Sequence, residues 1–174
     1  TAQSYASLVI GRYNVKEGST TSWVSSDPLF VAGNGTTDGT RSNALILYKN
    51  GDMTIKGNFT EGSDIRLKKN ISRLSGTLEK INRINPVSFE FKNTNTHPAG
   101  TQIGLIAQEV QKVFPELVSE GAHGYLSVNY TKLTAVLLEA IKEQQKVIDR
   151  QDTENREMKE RIFRLESLNN LPVL

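Results

Sequence analysis

The sequence has no cysteine, few aromatic residues, almost no net charge and only short apolar runs. Without cysteine, disulfides and thiolate metal sites are excluded, and folding in a reducing cytoplasm is compatible with the composition. No apolar run is long enough to cross a membrane, and a net charge of +2 is too small to indicate a nucleic-acid surface. The two histidines, His97 and His123, lack acidic partners at metal-binding spacing, so we expect neither a metal nor another cofactor.

The two ends of the chain differ in composition. Residues 1–62 hold 5 Lys+Arg and 5 Asp+Glu, whereas residues 63–174 hold 16 and 14, so charge density rises after the boundary. Glycine and turn dipeptides punctuate the first part, and helical periodicity dominates the second. The 174 residues therefore predict one or two small domains, with a change of architecture near Ser63.

The first part reads as short strands bounded by turns. Residues 7–14, 29–33 and 44–48 are β-branched or aromatic runs, and Asn50-Gly51 predicts a hairpin between residues 45–49 and 52–56. So few large apolar side chains make a poor solitary core. Two interpretations remain: a small β-sandwich fragment, or the end of a fibrous stalk in which three chains share one interior and bury their strand edges, which the composition favours.

The second part predicts a mixed α+β globule. A short helix starts near Ser75 and ends at Pro86, and residues 87–92 alternate as a strand before a polar loop over residues 93–100. Residues 105–114 predict an amphipathic helix with Ile106, Val110 and Val113/Phe114 facing inward. Residues 116–120 and 125–129 predict two strands around a glycine turn.

From Tyr130 the chain predicts one long helix with a seven-residue apolar repeat. The a positions fall on Thr134, Ile141, Ile148, Asn155 and Ile162, and the d positions on Leu137, Gln144, Gln151, Met158 and Leu165. Such a repeat indicates a left-handed coiled coil whose polar core is Gln144, Gln151 and Asn155. Amides stacked around an axis fix register and oligomer state, which favours a homotrimer; a dimer and a partly solvated helical tail remain as alternatives.

Ser63 and Lys68 lie five residues apart at the compositional boundary. A serine and a neutral lysine suffice for nucleophilic chemistry. An arbitrary serine and lysine at this spacing are more often a turn residue and a solvated cation. The pair alone therefore does not establish a catalytic site.

Three ordered blocks carry a family resemblance. The first is Ser63-Asp-Ile-Arg-Leu-Lys-Lys-Asn-Ile71, the second runs from Gly104 to Val118, and the third from Tyr125 to Glu143. Together they resemble the self-cleaving intramolecular chaperone domain of phage tail spikes and fibres, of which endosialidase tail spikes are the best-known members.

The resemblance implies an α+β fold of three parts: the end of a trimeric β-stalk over residues 1–62, a globular chaperone and autoprotease domain over residues 63–129, and a helix over residues 130–174 that forms a triple coiled coil. It implies a homotrimer that aligns its own stalk strands and then releases itself by autoproteolysis. The stalk would stay in the virion tail, while the chaperone part, made in the host cytoplasm, would leave after cleavage.

The resemblance also implies residue roles. The family's serine–lysine dyad falls on Ser63 and Lys68, and Asp64, Arg66 and Asn70 occupy signature positions that would shape the site. Attack by the Ser63 hydroxyl on the open Gly62 carbonyl favours scission at Gly62–Ser63, with Ser63–Asp64 as the alternative. A different class of function is a permanent structural tip that trimerises the fibre or contacts a receptor and breaks no bond.

Overall fold

The computed structural model describes residues 2–169, which form two compact units. The first unit comprises residues 2–69 and 88–103, and the second comprises residues 70–87 and 104–169. The mixed α+β character expected from the sequence is confirmed by eight strands and three α-helices in the described part of the chain. None of those helices combines the length and apolar character that crossing a membrane requires.

A four-stranded sheet organises the first unit. Its strands are β1 (Leu8–Arg12), β2 (Pro28–Asn34), β3 (Asn43–Tyr48) and β4 (Met53–Ile55), in that spatial order. β1 and β2 run parallel, whereas β2, β3 and β4 are antiparallel neighbours. The hairpin expected around Asn50-Gly51 is confirmed as β3–β4, with Leu45 opposite Ile55.

A pair of glycines lets β1 and β2 approach closely. Gly11 lies opposite Gly33 and has a φ of +82°, and a Cβ placed on Gly11 would lie 2.1 Å from the Gly33 carbonyl oxygen. No side chain fits at that distance, so both the backbone conformation and the strand pairing require glycine there.

The first unit has little core of its own. Among its described residues, the buried apolar side chains are Pro28 and Val31, while Leu8, Ile10, Trp23 and Met53 are exposed. Several of the buried side chains are polar: Ser4, Asn14 and Lys49, whose ammonium lies 4.8 Å from the Trp23 ring centroid. A sheet that leaves this much apolar surface uncovered is poorly stabilised as an isolated chain.

A small helical core organises the second unit. It is built by α1 (Thr77–Ile81), α2 (Ala107–Val113) and α3 (Tyr130–Asn169), with the hairpin of β7 (Val118–Glu120) and β8 (Leu126–Val128). The inward positions Val110, Val113 and Phe114 are confirmed as buried, and they pack with Leu117 and Val136.

Several boundaries differ from the sequence expectation: α1 ends at Ile81 rather than at Pro86, and Pro86 begins a strand. The strand expected over residues 87–92 is β5 (Pro86–Phe89), which pairs with β6 (Gln102–Leu105), a strand that the sequence did not predict. Because Leu105 belongs to β6, α2 begins only at Ala107, and Ile106 is its half-exposed N-cap. The inward placement of Ile106 was therefore wrong.

The long helix α3 is confirmed, with 40 residues and no break. At 1.5 Å per residue it extends for about 60 Å. Its face toward the core of the second unit carries Leu133, Val136, Ala140, Glu143 and Val147, and residues 148–167 are exposed on every side. The last heptad positions, Ile162 and Leu165, lie within this exposed stretch, and the end of the expected helix, residues 170–174, lies outside the described residues.

Candidate active site

A single turn of 3₁₀ helix over Ile65–Leu67 shapes the segment that joins the two compositional halves. Asp64 is its N-cap, and the Asp64 carboxylate accepts the backbone N–H of Arg66 at 2.8 Å. The Lys68 N–H closes the turn on the Ile65 carbonyl at 3.0 Å. Aspartate is favoured at such a cap because its short side chain reaches an N–H that the helix leaves unpaired.

The turn brings Ser63 and Lys68 together. Lys68 Nζ donates a hydrogen bond to Ser63 Oγ at 2.7 Å, although the two residues are five positions apart. In this arrangement the ammonium is the donor. A lysine accepts the proton of a serine only after losing its own. The structure therefore places the two groups within reach of each other, and Lys68 must still be deprotonated before it can act as a base.

Asp64 and Arg66 form an ion pair beside the serine–lysine pair. Arg66 Nε and Nη2 donate to the two carboxylate oxygens of Asp64 at 3.0 and 2.7 Å. The Arg66 side chain and backbone hold the pKa of Asp64 below its usual range, and Asp64 in turn raises the pKa of Arg66. The Arg66 guanidinium is therefore directed at Asp64, which sits next to Ser63 in the chain.

Asn70 ends this segment in a left-handed conformation. Its φ is +54°, a region that asparagine tolerates better than most residues. The chain turns there as it passes from the first unit into the second. A role in shaping the backbone, rather than in contacting Ser63, fits this geometry.

The whole segment is open to solvent in a single chain. Residues 56–76 are exposed, and the apolar side chains of Ile65 and Leu67 are 72% and 79% exposed. A Cβ placed on Gly62 would contact nothing within 4 Å, so the space beside Gly62 is open. The exposed apolar side chains of Ile65 and Leu67, close to Lys68 in the chain, provide a surface that further protein can cover.

The sequence did not reveal one positioning residue, Glu143. From α3 its carboxylate accepts the backbone N–H groups of Leu78 and Thr77 at 2.8 and 3.2 Å, at the first turn of α1. These bonds, that to Leu78 first, lower the pKa of Glu143, while its partial desolvation opposes them. The partners are more than sixty residues apart, and no local pattern could have indicated them.

The three amides of the predicted coiled-coil core lie on one exposed stripe of α3. Gln144, Gln151 and Asn155 are all exposed, as are the apolar a and d residues between them. The structure therefore shows a continuous mixed stripe that the chain does not cover with its own described residues.

Comparison with known proteins finds a family match for part of the chain. Residues 63–119 match the protein family described as the chaperone of endosialidase. The match begins at Ser63 and continues through the 3₁₀ turn, α1 and α2. This segment is similar to a chaperone-of-endosialidase domain. Its first residue is the serine that Lys68 contacts.

Several relatives of the domain are long tail fibre proteins. The chain is 31% identical over 121 residues to long tail fiber protein Gp37 of Enterobacteria phage K3, covering 63% of this chain and 10% of that protein. It is 30% identical over 108 residues to Gp37 of Enterobacteria phage T2, covering 56% and 8%. Gp37 of Escherichia phage AR1 is 36% identical over 88 residues, covering 47% and 8%. The chain thus aligns with about a tenth or less of each fibre protein.

Proposed function

We propose that the chain is an assembly module of a phage tail fibre or spike, in which a chaperone domain trimerises, aligns a β-stalk and then cuts itself free. Residues 1–62 are the stalk end, residues 63–129 the chaperone and protease, and residues 130–174 the coiled-coil helix. The observation that carries this proposal is the 2.7 Å contact between Lys68 Nζ and Ser63 Oγ at the first residue of the chaperone-of-endosialidase match.

The proposed reaction is a single self-cleavage. Ser63 Oγ attacks the Gly62 carbonyl carbon while a neutral Lys68 takes the hydroxyl proton. As the C–N bond breaks, Lys68 returns a proton to the Ser63 nitrogen, leaving an ester between Gly62 and Ser63 Oγ. Water hydrolyses that ester, which yields a Gly62 carboxylate and a Ser63 N-terminus.

The proposal links cleavage to trimerisation. A charged ammonium is favoured in water, and burial favours the neutral amine. The exposed apolar pair Ile65 and Leu67 flanks this site, so neighbouring chains that cover it would also remove water from Lys68. Scission is therefore expected after three chains have assembled, when the stalk strands are already aligned.

The test is mass spectrometry of the purified chain beside Ser63→Ala and Lys68→Met variants. Cleavage at Gly62–Ser63 divides the 19.3 kDa chain into pieces of 62 and 112 residues, roughly one-third and two-thirds of its length. Both variants should stay intact. Lys69→Met, which removes the neighbouring cation and spares the contact with Ser63, is the matched control and should still be cut.

A permanent structural tip is the second candidate, because the related proteins are named as fibre proteins. In that case the wild type remains whole although it is trimeric, and Ser63→Ala does not differ from it. Fragments that end at Ser63 rather than Gly62 would shift the scissile bond to Ser63–Asp64 and leave the chaperone role in place.

A further inference from the structure

A groove runs along the first half of α3 in the second unit. It is lined on the α3 side by residues between Ala135 and Lys146, and on the other side by Arg73 and Leu74. Its volume is about 710 Å³, which is in the range of pockets that hold a ligand far larger than a single ion. The groove is therefore large enough for a short stretch of polypeptide.

The α3 side of the groove changes from apolar to cationic along the helix. Ala135 and Leu138 come first, and Lys142 and Lys146 follow. Leu138 and Leu74 are 56% and 44% exposed, so an apolar surface adjoins the two ammonium groups. This order is complementary to a segment that carries an aromatic or aliphatic side chain and then a carboxylate.

The positive charge of the groove is mostly unbalanced. Arg73 adds a third cation to the two lysines, and the carboxylate of the lining residue Glu139 lies 3.8 Å from Lys142. Among the residues that the structure describes, Arg73 and Lys146 make no ion pair. An acidic occupant would supply the missing counter-charge.

The segment just before Ser63 has the complementary pattern and is itself uncovered. Residues 57–62 are exposed, and within the described part of the chain they make no hydrogen bond. Phe59 is 65% exposed, and Glu61 follows two positions later. The chain's own described residues therefore cover neither this segment nor the groove.

We propose that residues 57–62 of one copy bind in the groove of a second copy. Phe59 then packs on the apolar part of the groove, and Glu61 lies between Lys142 and Lys146. This contact rests on the proposed function, and it gives a neighbouring copy the task of holding the strand that leads into the scissile bond. The groove residues position that strand and take no chemical step.

The spacings of the two partners agree. The lined part of α3 is about 16 Å long at 1.5 Å per residue, and about five extended residues cover the same length. Phe59 and Glu61 project from the same side of an extended chain about 7 Å apart. Leu138 and Lys142 are separated by roughly 6 Å along the helix. Because helical side chains lean toward the N-terminus, Lys146 reaches toward the same carboxylate from the next turn.

Charge reversal tests the contact, with the rate of scission during cell-free synthesis as the readout. Glu61→Lys adds a cation to a cationic site, and Lys146→Glu sets two carboxylates against each other. Each variant should be cut about tenfold more slowly than the wild type, because a favourable exposed pair becomes a repulsive one and the strand is no longer positioned. Both changes in one chain should restore most of the rate.

Lys132→Glu is the matched control. It reverses an exposed charge of the same helix outside the groove lining, so this variant should be cut like the wild type. The side chains of Glu61, Lys132 and Lys146 are all exposed, so the variants are expected to fold.

A mixture of variants identifies which copy supplies the groove. Co-synthesis of the Glu61→Lys and Lys146→Glu chains brings the reversed segment of one chain to the reversed groove of the other in mixed assemblies. Both chains should then be cut faster than either variant alone, and mass spectrometry distinguishes the two by mass. Impaired folding of either variant would not be relieved in this way.

Three results would overturn this contact. Restoration in the doubly reversed chain without a gain in the mixture would show that each chain uses its own groove. Scission of both single variants at the wild-type rate, or a doubly reversed chain as slow as they are, would show that Glu61 and Lys146 do not meet. A wild-type chain that stays whole would instead refute the scission itself, which is a failure of the proposed function and not of the docking alone.

Discussion

Local chain geometry explains why Ser63 and Lys68 meet. Residues five apart in an extended strand are too distant for a hydrogen bond, and it is the 3₁₀ turn at Ile65–Leu67 that folds them together. Asp64 holds that turn through its cap, and Arg66 holds Asp64. The serine–lysine contact therefore depends on two neighbours that have no chemical step of their own.

The ion pair gives a direct prediction. Because Arg66 lowers the pKa of Asp64, Arg66→Gln should return that pKa toward 3.8, the value of an unperturbed aspartate. The carboxylate's contribution to the turn is present above that value and is lost as pH falls through the lower pKa of the folded chain. A carboxyl NMR titration measures the pKa of Asp64 in the wild type and in the Arg66→Gln variant.

Arg73→Gln is the control for this titration, since Arg73 has no contact with Asp64 among the described bonds, and it should leave the Asp64 titration unchanged. An Asp64 that titrates identically with and without the Arg66 guanidinium would contradict the pairing.

The residues of the candidate site were predicted only through the family resemblance. Ser63, Lys68, Asp64, Arg66 and Asn70 were identified by their place in a family signature, whose first block lies in the matched segment. The turn was not predicted, because three residues are too few for any periodicity to register. The ion pair of Asp64 with Arg66 could not be predicted for the same reason.

Among the elements, α1 depends on a residue of α3. A five-residue helix has no side-chain cap of its own at Gly76, and the Glu143 carboxylate satisfies its first N–H groups instead. Negative charge at a helix N-terminus also interacts favourably with the helix dipole. Glu143 therefore fixes the position of α1 on the long helix.

Replacing Glu143 should loosen that attachment. We expect Glu143→Ala to lower the melting temperature by a few degrees, and Glu143→Gln, which keeps one acceptor oxygen, to lower it less. Because folding lowers the pKa of Glu143, its stabilising effect is present above about pH 4.5 and is lost as pH falls through the folded-state pKa. Thermal melts at pH 7 and pH 3 measure this.

The difference between wild type and Glu143→Gln should shrink at the lower pH. Glu139→Gln, on the same helix but without a bond to α1, is the control and should behave like wild type at both values.

A substitution in the core of the second unit should lower stability more than the Glu143 variants do. Phe114 is 2% exposed and packs among Val110, Leu117 and Val136. Phe114→Ala should therefore destabilise the unit by about 3–5 kcal/mol in urea unfolding, because it leaves a cavity. Ile106→Ala, at a position that is 40% exposed, should cost much less; equal losses would mean that the two side chains are buried alike.

The misplacement of Ile106 shows why the start of α2 was not predicted correctly. The run Ile103-Gly-Leu-Ile106 is apolar and fits either a buried strand or the first turn of an amphipathic helix. Pairing with β5, which no local signal reveals, made residues 102–105 a strand. Longer patterns were predicted well: the β3–β4 hairpin from Asn50-Gly51 and the helix after Tyr130 were both confirmed.

For the molecule as a whole, the incomplete core of the first unit matters most. Pro28 and Val31 are the buried apolar side chains among its described residues, and Leu8, Ile10 and Met53 face solvent. The stripe of α3 is likewise uncovered. A chain with two such surfaces is expected to gain much of its stability from other copies of itself.

The stability of the intact Ser63→Ala chain should therefore depend on its concentration. Because the proposed assembly forms from three chains, the melting temperature should rise measurably for each tenfold increase in protein concentration. Differential scanning calorimetry over a hundredfold range tests this. A melting temperature that does not change with concentration would show that single chains are self-sufficient.

Neither the sequence nor the structure of a single chain determines the oligomeric state. The heptad pattern located the stripe, including Gln144, Gln151 and Asn155, and the structure shows it exposed. What covers it depends on a free energy of association that neither the spacing of residues nor one chain's contacts contain.

The bond between Glu143 and the start of α1 also sets an order of events during synthesis. Leu78 leaves the ribosome long before Glu143 does, 65 residues later in the chain. Until then the N–H groups of Thr77 and Leu78 lack their carboxylate acceptor, so the capping of α1 waits for α3. The attachment of α1 is therefore completed only after translation has passed residue 143, when the strands of the first unit have already emerged.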